Sequence, residues 1–513
     1  MPPVLLPTEC LLMIFQNIAN DIQCLHSCIL VNRLWCRNAI PYLWARPFST
    51  ASKEAKLIKT YISCLEDEDK VLIEEEDVVL PVLPTPLFDY ASYLIEFKYN
   101  RLKSAVELWI KIKDQLSTSS PNSPKVFGIT RALCNLLMRK CSKLEAFSIN
   151  SKNMPDYTIF SQSPYLSRIN KFSCLFFDEC SYRFKETNKN TLDLLKFLPT
   201  VCNDIKALDF RQCDSTAVNK AMKDIIFDIP NLQDFKYYGP NDMIYREEII
   251  LPALKSQTNN LSSLFLCRVL INDHIFDILS ECINLETLKF LDCRCSTLGS
   301  SLKSKFRLKK LHLETTLSSR SSSNIVTLVQ TLGNNNTLQY LYLNVLKNTA
   351  PRSISIGCSN IVEFHLSELE YYDSNNLFNL LDNLNFLEKL TLTDMVLNEG
   401  ETDQFYNSLG IHLPLSLKYL NIGQLFKPKR SFGTENFQHL FRNCRASLET
   451  IIINQPVEYN DSDFNSIIDY TKKTNSLRFL GLNCLRNIHH HKFKELREVY
   501  NVFIIPKYDL GNW

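Results

Sequence analysis

Apolar residues recur along most of the chain in one short phrase, apolar-x-x-apolar-x-apolar. Its last four positions alternate between intervening and apolar residues, a period typical of a β-strand with one buried face. One copy would fit any strand of a buried sheet, but fourteen copies at near-regular spacing indicate a structural repeat. The apolar positions of the phrases are Leu94-Phe97-Tyr99, Leu144-Phe147-Ile149, Ile169-Phe172-Cys174, Ile205-Leu208-Phe210, Leu232-Phe235-Tyr237, Leu261-Leu264-Leu266, Leu285-Leu288-Phe290, Leu308-Leu311-Leu313, Leu338-Leu341-Leu343, Ile361-Phe364-Leu366, Leu387-Leu390-Leu392, Leu417-Leu420-Ile422, Leu448-Ile451-Ile453 and Leu477-Leu480-Leu482.

The spacing of the phrases predicts how the strands are arranged. From Leu144 to Leu477 twelve steps cover 333 residues, about 28 residues per step. The segments between phrases, such as 191–200 and 274–286, carry helical patterns. A strand and a helix repeated at one period place the strands in a parallel sheet that lines the inside of a curved solenoid, with the helices outside. The predicted fold class is therefore α/β, and the period resembles that of a leucine-rich repeat domain.

The first 44 residues follow a different pattern, in which apolar residues cluster at helical spacing. Cys28, Val31 and Trp35 stand at i, i+3 and i+7, on one face of a helix. We predict three short helices, with Pro7 at the N1 position of the first and Glu9 in its first turn. So short a segment cannot bury enough surface to be stable alone, so part of its apolar surface is expected to serve a partner.

This N-terminal pattern resembles the F-box. The segment "LPTECLLMIF" (6–15) looks like the opening of that motif, and "LVNRLWCRNAIPYLW" (30–44) looks like its close. The resemblance implies a helical hairpin that docks on a Skp-type adaptor and thereby joins a cullin-based ubiquitin ligase (SCF). It also implies which residues face the adaptor or support that surface: Leu6, Pro7, Ile14, Phe15, Leu25, Cys28, Val31 and Trp35. The alternative is that the hairpin is only an N-terminal cap of the solenoid.

Composition excludes several classes of protein. The formal net charge is only +2, with 57 basic and 55 acidic residues among 513, so nucleic acid is not an expected partner. No apolar run approaches the length of a membrane helix, and no secretory leader is recognised, so the protein is expected in the cytoplasm or nucleus. The 18 cysteines lack paired spacing and are expected to be free thiols. Four of them precede a phrase by three residues, where each helix turns toward the next strand: Cys141, Cys202, Cys282 and Cys358.

The predicted domain limits are 1–48 for the F-box-like hairpin, 49–92 for a linker and 93–513 for the repeats with a C-terminal cap. The linker combines a predicted helix (52–65), an acidic stretch with eight carboxylates between residues 66 and 77, and three prolines. We interpret the acidic stretch as a solvated spacer, with a docking strip or hinge as the alternative. The cap is predicted as a helix over 492–500 and a closing strand over 502–505.

Motifs of catalysis are not expected in this chain. The sequence holds no Walker-type phosphate loop, no GxSxG and no HExxH. Three adjacent histidines (489–491) cannot all converge on one ion from regular backbone, so a metal site is not predicted there. We therefore predict a non-catalytic protein that needs no cofactor and no metal.

The residues between the apolar positions of a phrase point to the concave face of the predicted solenoid. Aromatic residues there supply large contact area at small entropic cost, which favours a surface that binds protein. The candidate target-binding residues are Tyr238, Tyr340, Tyr342, Tyr419 and Phe479. The alternative is that these positions simply tolerate tyrosine in a strand.

Two functions fit the sequence. The first is the substrate-recognition subunit of an SCF-type ubiquitin ligase, in which the hairpin binds a Skp-type adaptor and the repeats bind a target protein. The second is a leucine-rich repeat scaffold or inhibitor that works without a ligase, in which the hairpin only caps the repeats. Deletion of residues 1–48 should destabilise the repeats in the second case and largely spare them in the first.

Overall fold

The structure of the chain is a computed structural model. It describes residues 6–48, 54–74, 80–81, 83–114, 124–151, 154–161, 163–176, 187–211, 216–240, 249–295, 307–314, 337–344, 359–367, 374–394, 402–423, 436–454, 461–482 and 490–505. The chain divides into two compact units: unit 1 is Met1–Asn241 with Glu248–Gln257, and unit 2 is Asp242–Glu247 with Thr258–Trp513. The predicted limits at 48 and 92 stay predictions.

The three N-terminal helices are present, as α1 (Thr8–Asn17), α2 (Ile22–Cys28) and α3 (Arg33–Leu43). Pro7 is the N-cap of α1 rather than its first helical residue, and Glu9 lies in the first turn as predicted. Side-chain oxygens cap the other two helices: Asp21 accepts from the Cys24 amide and Asn32 from the Trp35 amide, both at 2.9 Å.

Unit 1 continues with five parallel strands that are neighbours in chain order. They are β1 (Glu96–Lys98), β2 (Ala146–Asn150), β3 (Lys171–Leu175), β4 (Ala207–Arg211) and β5 (Asp234–Tyr238). The further α-helices of this unit are α4 (Glu54–Ser63), α5 (Asp67–Glu74), α6 (Tyr99–Asp114), α7 (Pro124–Lys140), α8 (Thr158–Ser161), α9 (Thr187–Val201), α10 (Thr216–Asp228) and α11 (Ile250–Ala253). Short 3-10 helices cover Tyr90–Tyr93, Leu166–Arg168 and Leu254–Gln257.

Unit 2 repeats the same plan. Its parallel strands are β6 (Ser263–Cys267), β8 (Thr287–Leu291), β10 (Lys310–Glu314), β11 (Tyr340–Leu343), β12 (Glu363–Ser367), β13 (Lys389–Thr393), β14 (Tyr419–Ile422), β15 (Thr450–Ile453), β16 (Phe479–Leu482) and β17 (Phe503–Ile505). Two short strands pair separately, β7 (Leu270–Ile271) and β9 (Arg294–Cys295). Its helices are α12 (Asp273–Glu281), α13 (Ser374–Leu381), α14 (Thr402–His412), α15 (Asn436–Asn443), α16 (Asp461–Thr474) and α17 (His490–Glu498).

The predicted phrases are the strands and the residues that lead into them. In all fourteen phrases each of the three apolar positions is buried, with at most 2% of the residue exposed. Equivalent positions are paired in register, so that Phe97, Phe147 and Phe172 lie side by side on β1, β2 and β3. Their rings stack at 5.6 and 6.0 Å between centroids, and Phe160 of α8 packs against Phe147 at 5.1 Å. The predicted α/β repeat solenoid is thereby confirmed within each unit, with its core between sheet and helices.

The hairpin joins the first strand by the hydrogen bonds that join one repeat to the next. The Ala45 carbonyl accepts from the amides of Ile95 and Glu96, at 2.9 and 3.2 Å. Asn170 accepts in the same way from Lys206 and Ala207, at 2.7 and 3.0 Å. The end of the hairpin therefore occupies the place of a preceding repeat.

Part of the acidic stretch is packed rather than solvated, contrary to the predicted spacer. Helix α5 carries Asp69, which is only 1% exposed, and the Arg139 guanidinium of α7 lies 2.9 Å from its carboxylate. Glu66 pairs with Arg139 at 2.8 Å and with Lys140 at 2.7 Å. Because a buried carboxylate needs such partners, Asp69 fixes α5 against α7. Residues 75–77 of the stretch lie outside the described residues.

A close helix contact in unit 2 gives a first testable prediction. A Cβ on Gly410 of α14 would collide with the Leu440 carbonyl oxygen of α15, which is backbone and cannot rotate away. Gly410→Ala is expected to lower the free energy of unfolding by about 1–3 kcal/mol, because the helices must separate. Urea unfolding followed by circular dichroism measures this, with Ser408→Ala in the same helix as the control. A Gly410→Ala midpoint at or above that of wild type would contradict the contact.

Candidate interaction surfaces

The hairpin residues assigned to the adaptor divide into an exposed set and a buried set. Leu6, Ile14 and Val31 are 44%, 39% and 57% exposed, and Pro7 is exposed as well. These four side chains are open to a partner. Exposed large apolar residues concentrated in one small element are typical of an interaction site.

The other four assigned residues form the hairpin core. Phe15 and Leu25 are fully buried, and Cys28 is 8% exposed. Trp35 is half-buried and packs edge-on against Phe15, with 5.5 Å between ring centroids. These residues are therefore placed to support the surface rather than to meet a partner directly.

Sequence reasoning missed four further exposed apolar residues of the hairpin. Leu12 and Leu34 are 38% and 37% exposed, while Met13 and Leu30 are 64% and 74% exposed. Met13 and Ile14 follow each other on α1, whereas Leu30 and Val31 lie in the turn between α2 and α3. Cys28, Val31 and Trp35 therefore do not share one helix face, contrary to the prediction. Two adjacent apolar residues exceed what one buried helix face requires, and such pairs are the signal in the sequence for this exposed set.

The open face of the unit 2 sheet is the face that carries the positions between the apolar ones. Tyr340, Tyr419 and Phe479 occupy one row of this face, on β11, β14 and β16. Tyr340 is 36% exposed and the Lys310 ammonium lies over its ring, 4.7 Å from the centroid. Phe479 is half-buried and stacks on Phe503 at 5.8 Å. These three predicted residues therefore lie on one surface, but none of them is on a strand adjacent to another's.

Tyr342 lies in the adjacent row, between two histidines. His312 of β10 stacks on its ring with 3.7 Å between centroids, and His365 of β12 lies on the other side at 4.2 Å. His365 also bonds the Thr393 hydroxyl at 3.3 Å. We call His312, Tyr342 and His365 the ring stack. The histidines were not selected as anchors from the sequence, because their juxtaposition depends on the register of three strands.

Burial keeps both histidines of the ring stack neutral. It lowers the pKa of His312 to about 3, with further lowering by Lys289 and His365, and it lowers the pKa of His365 to about 4. The Glu314 carboxylate lies 3.3 Å from His312 and favours the opposite direction. Desolvation outweighs this attraction, because the Glu314 carboxylate is itself partly exposed to water, which screens its charge.

The lowered pKa values predict a loss of stability in acid. Below pH 6.5 the histidines of the unfolded chain gain protons, while those of the folded chain stay neutral until about pH 4. The unfolded state then binds more protons, so the free energy of unfolding falls as the pH falls through this window. Urea midpoints at several pH values measure this fall in stability. The double variant His312→Phe, His365→Phe should lose less stability than wild type between pH 6.5 and 4. Parallel profiles for variant and wild type would refute this.

The remaining assigned residue, Tyr238, lies in unit 1. It is half-buried at the end of β5, and the Arg211 guanidinium of β4 lies over its ring at 4.5 Å. Tyr238 therefore belongs to unit 1, whereas the other four candidate residues belong to unit 2.

The cysteines of the described part of the chain are free thiols, and most of them are buried. No group of three or more His, Cys, Asp or Glu side chains in the same residues could hold a metal ion. Burial raises the pKa of Cys202 and of Cys282 to about 12, so both thiols stay protonated. His489 and Cys358 lie outside the described residues.

Within the described residues, no helix combines the length and apolar composition needed to cross a membrane.

Comparison with known proteins leaves the family open. No protein-family model matches this chain, and no curated protein matches it either. Among solved structures, a chain of the yeast Rad7–Elc1 complex is similar over 87% of this chain and 94% of its own length, at 12% sequence identity and a TM-score of 0.38.

Proposed function

We propose that this protein is the substrate-recognition subunit of an SCF-type ubiquitin ligase, in which the hairpin binds a Skp-type adaptor and through it a cullin. The observation that carries the proposal is the hairpin's exposed apolar set: Leu6, Leu12, Met13, Ile14, Leu30, Val31 and Leu34. The core of the hairpin is complete without them, from Phe15 and Leu25 to the half-buried Trp35. Apolar side chains left over from a finished core are available to a partner.

The repeats are proposed to hold the target protein. Their open face mixes aromatic rings with lysine and carboxylate side chains, as around Tyr340 and Lys310. Aromatic rings surrounded by a polar rim are typical of protein-binding surfaces, in which a few residues, often aromatic, contribute most of the energy. The ring stack adds flat, uncharged area to the same face.

The contribution of such a subunit is proximity rather than chemistry. Holding target and adaptor on one chain converts ubiquitin transfer into an effectively intramolecular step. This division of labour is consistent with the absence of recognised catalytic motifs in the sequence.

Co-purification tests the proposal directly. Full-length chain is expressed with a Skp-type adaptor and a cullin, and the three are expected to elute as one complex. A protein that is folded by circular dichroism but elutes free of the adaptor would overturn the ligase assignment.

The second candidate is a repeat scaffold or inhibitor that acts without a ligase. It is favoured by the two hydrogen bonds that Ala45 accepts from the first strand, since these make the hairpin a cap of the sheet. Trp44 strengthens that role by packing against Tyr61 and Tyr90, at 5.4 and 4.3 Å. Deletion of residues 1–48 is therefore expected to destabilise unit 1 on either hypothesis, which corrects the prediction that it would largely spare the repeats of a ligase subunit, and it does not separate the two functions. Adaptor binding does separate them.

A further inference from the structure

The last three repeats of unit 2 carry exposed cations at one edge of the sheet, where each helix ends and the chain turns into the next strand. β15, β16 and β17 are neighbours in the sheet, so the loops that lead into them follow one another along this edge. Five exposed cations stand at the helix ends and in these loops, and we call them the cationic edge: Arg442, Arg445, Lys473, Arg478 and Arg497.

Contacts between successive repeats bring the parts of the cationic edge together. Burial raises the pKa of the Cys444 thiol, and the positive charge of Lys473 opposes that rise. Lys473, in the last turn of α16, therefore lies near the residue that separates the two arginines of the preceding repeat. At the following step the Lys472 ammonium lies 3.6 Å from the Glu495 carboxylate of α17.

The nearby carboxylates leave the cationic edge with an excess of positive charge. Glu495 and Glu498 are each paired with a lysine outside the set, at 3.6 and 3.9 Å. None of the five cations forms an ion pair with a carboxylate of a described residue. Glu449 and Asp469 are also exposed in these repeats, so five cations stand against two further carboxylates.

This excess belongs to the last repeats and is not a general property of helix ends in unit 2. The helix dipole favours a cation in the last turn of any helix. Helices α12 and α13 nevertheless have no basic residue there. The loops before β13 and β14 carry the exposed apolar residues Phe386 and Leu415, and the Lys418 ammonium is paired with Glu388 at 2.9 Å. A cation excess confined to adjacent repeats therefore indicates a ligand rather than a stabilised helix end.

The cationic edge adjoins the surface that we propose to hold the target. Arg478 directly precedes Phe479, one of the candidate target-binding residues. Phe479 stacks on Phe503 at 5.8 Å, and Phe503 is 68% exposed. A segment of a target that lies over these rings would meet the cations where it crosses the edge of the sheet.

The spread of the cations favours an acidic protein segment over a single phosphate group or a nucleic acid. Neighbouring strands lie about 4.8 Å apart, so the cations of three repeats extend over about 10 Å or more. A single phosphate would reach only some of them, whereas successive carboxylates on one segment can reach several. Surfaces that bind nucleic acid carry a larger excess of cations, but here Glu449 and Asp469 interrupt the set and the net charge of the chain is +2.

We propose that the cationic edge binds an acidic segment of the target protein, in which several aspartate or glutamate side chains follow one another. The carboxylates pair with the guanidinium groups of the arginines, which can hold a carboxylate by two hydrogen bonds, and with the Lys473 ammonium. Each exposed pair contributes little by itself, so the affinity comes from their number. The inference rests on the proposed function, of which it defines the target class.

Fluorescence anisotropy with the full chain tests the proposal. The probe is a labelled twelve-residue peptide in which glutamate alternates with serine. One matched peptide carries glutamine in place of every glutamate, and a second adds a single phosphoserine to the glutamine peptide. The glutamate peptide is expected to bind at least tenfold more tightly than either matched peptide, and more weakly as the salt concentration rises.

Three results would overturn the proposal. The first is equal binding of the glutamate and glutamine peptides by folded protein, and the second is binding of neither. The third is tighter binding of the phosphoserine peptide, or of single-stranded DNA, than of the glutamate peptide.

A charge-reversal variant with a matched control locates the site. Arg442→Glu with Arg478→Glu should weaken binding of the glutamate peptide at least tenfold. Arg131→Glu with Lys220→Glu reverses two exposed cations of unit 1, changes the net charge by the same amount and should bind as wild type does. Circular dichroism checks that each variant is folded. Equal binding by the folded variant and the folded control would refute the assignment of the site. The assay contains no adaptor, so a failure of adaptor capture and a failure of this proposal are read separately.

Discussion

Ile14→Glu combined with Val31→Glu is expected to reduce adaptor capture at least a hundredfold. Both side chains are exposed, so neither change removes a contact of the hairpin core. In a complex each glutamate would place a charge against an apolar partner, at a cost of about 2 kcal/mol or more per site. Two such sites exceed the roughly 3 kcal/mol that correspond to a hundredfold loss. Titration of a labelled Skp-type adaptor measures the effect.

The matched control introduces two glutamates at exposed apolar positions elsewhere. Phe386 and Leu415 of unit 2 are 60% and 74% exposed, so Phe386→Glu with Leu415→Glu repeats the chemistry away from the hairpin. This variant should capture adaptor as wild type does. Trp35→Ala is a poorer test, because it also removes the Trp35 contact with Phe15. Equal capture by the hairpin variant and the control would show that the exposed set does not bind the adaptor.

Phe147→Ala should lower the free energy of unfolding of unit 1 by about 3–5 kcal/mol. The ring is 1% exposed and contacts the rings of Phe97, Phe172 and Phe160, so its loss leaves a cavity that the paired strands cannot close. Urea unfolding followed by tryptophan fluorescence reports on this unit, which holds three of the four tryptophans.

An exposed phenylalanine of the same unit provides the control. Phe127 on α7 is 43% exposed, and Phe127→Ala should cost about 0.5 kcal/mol or less. If the two variants unfold at the same urea concentration, Phe147 is not the packed centre of the sheet that its contacts indicate.

The strands could be predicted because their signal is local. Each phrase, such as Leu338-Leu341-Leu343, carries the alternation that a half-buried strand requires, and repetition made the fold class clear. The packing of α5 could not be predicted in this way. It depends on Asp69 meeting Arg139, seventy residues later, and nothing in the acidic stretch itself indicates that partner.

The candidate sites depend on register, which the sequence expresses only weakly. Tyr342 was selected as an aromatic residue at an open-face position, but its place between His312 and His365 follows from three strands pairing in step. The hydrogen bond between Ser173 and Ser148 likewise exists only because β2 and β3 pair in step.

The hydrogen bonds accepted by Ala45 have a consequence for which lysines of a target could be modified. They attach the hairpin directly to β1, so a target held by the strands of unit 1 would stand at a fixed distance and orientation from the helices that we propose to bind the adaptor. Lysines on such a target would be selected by where they fall in space rather than by the residues around them. Moving the single lysine within reach to another face of the target should then protect the target from ubiquitin transfer. The affinity of the target for the chain should stay unchanged.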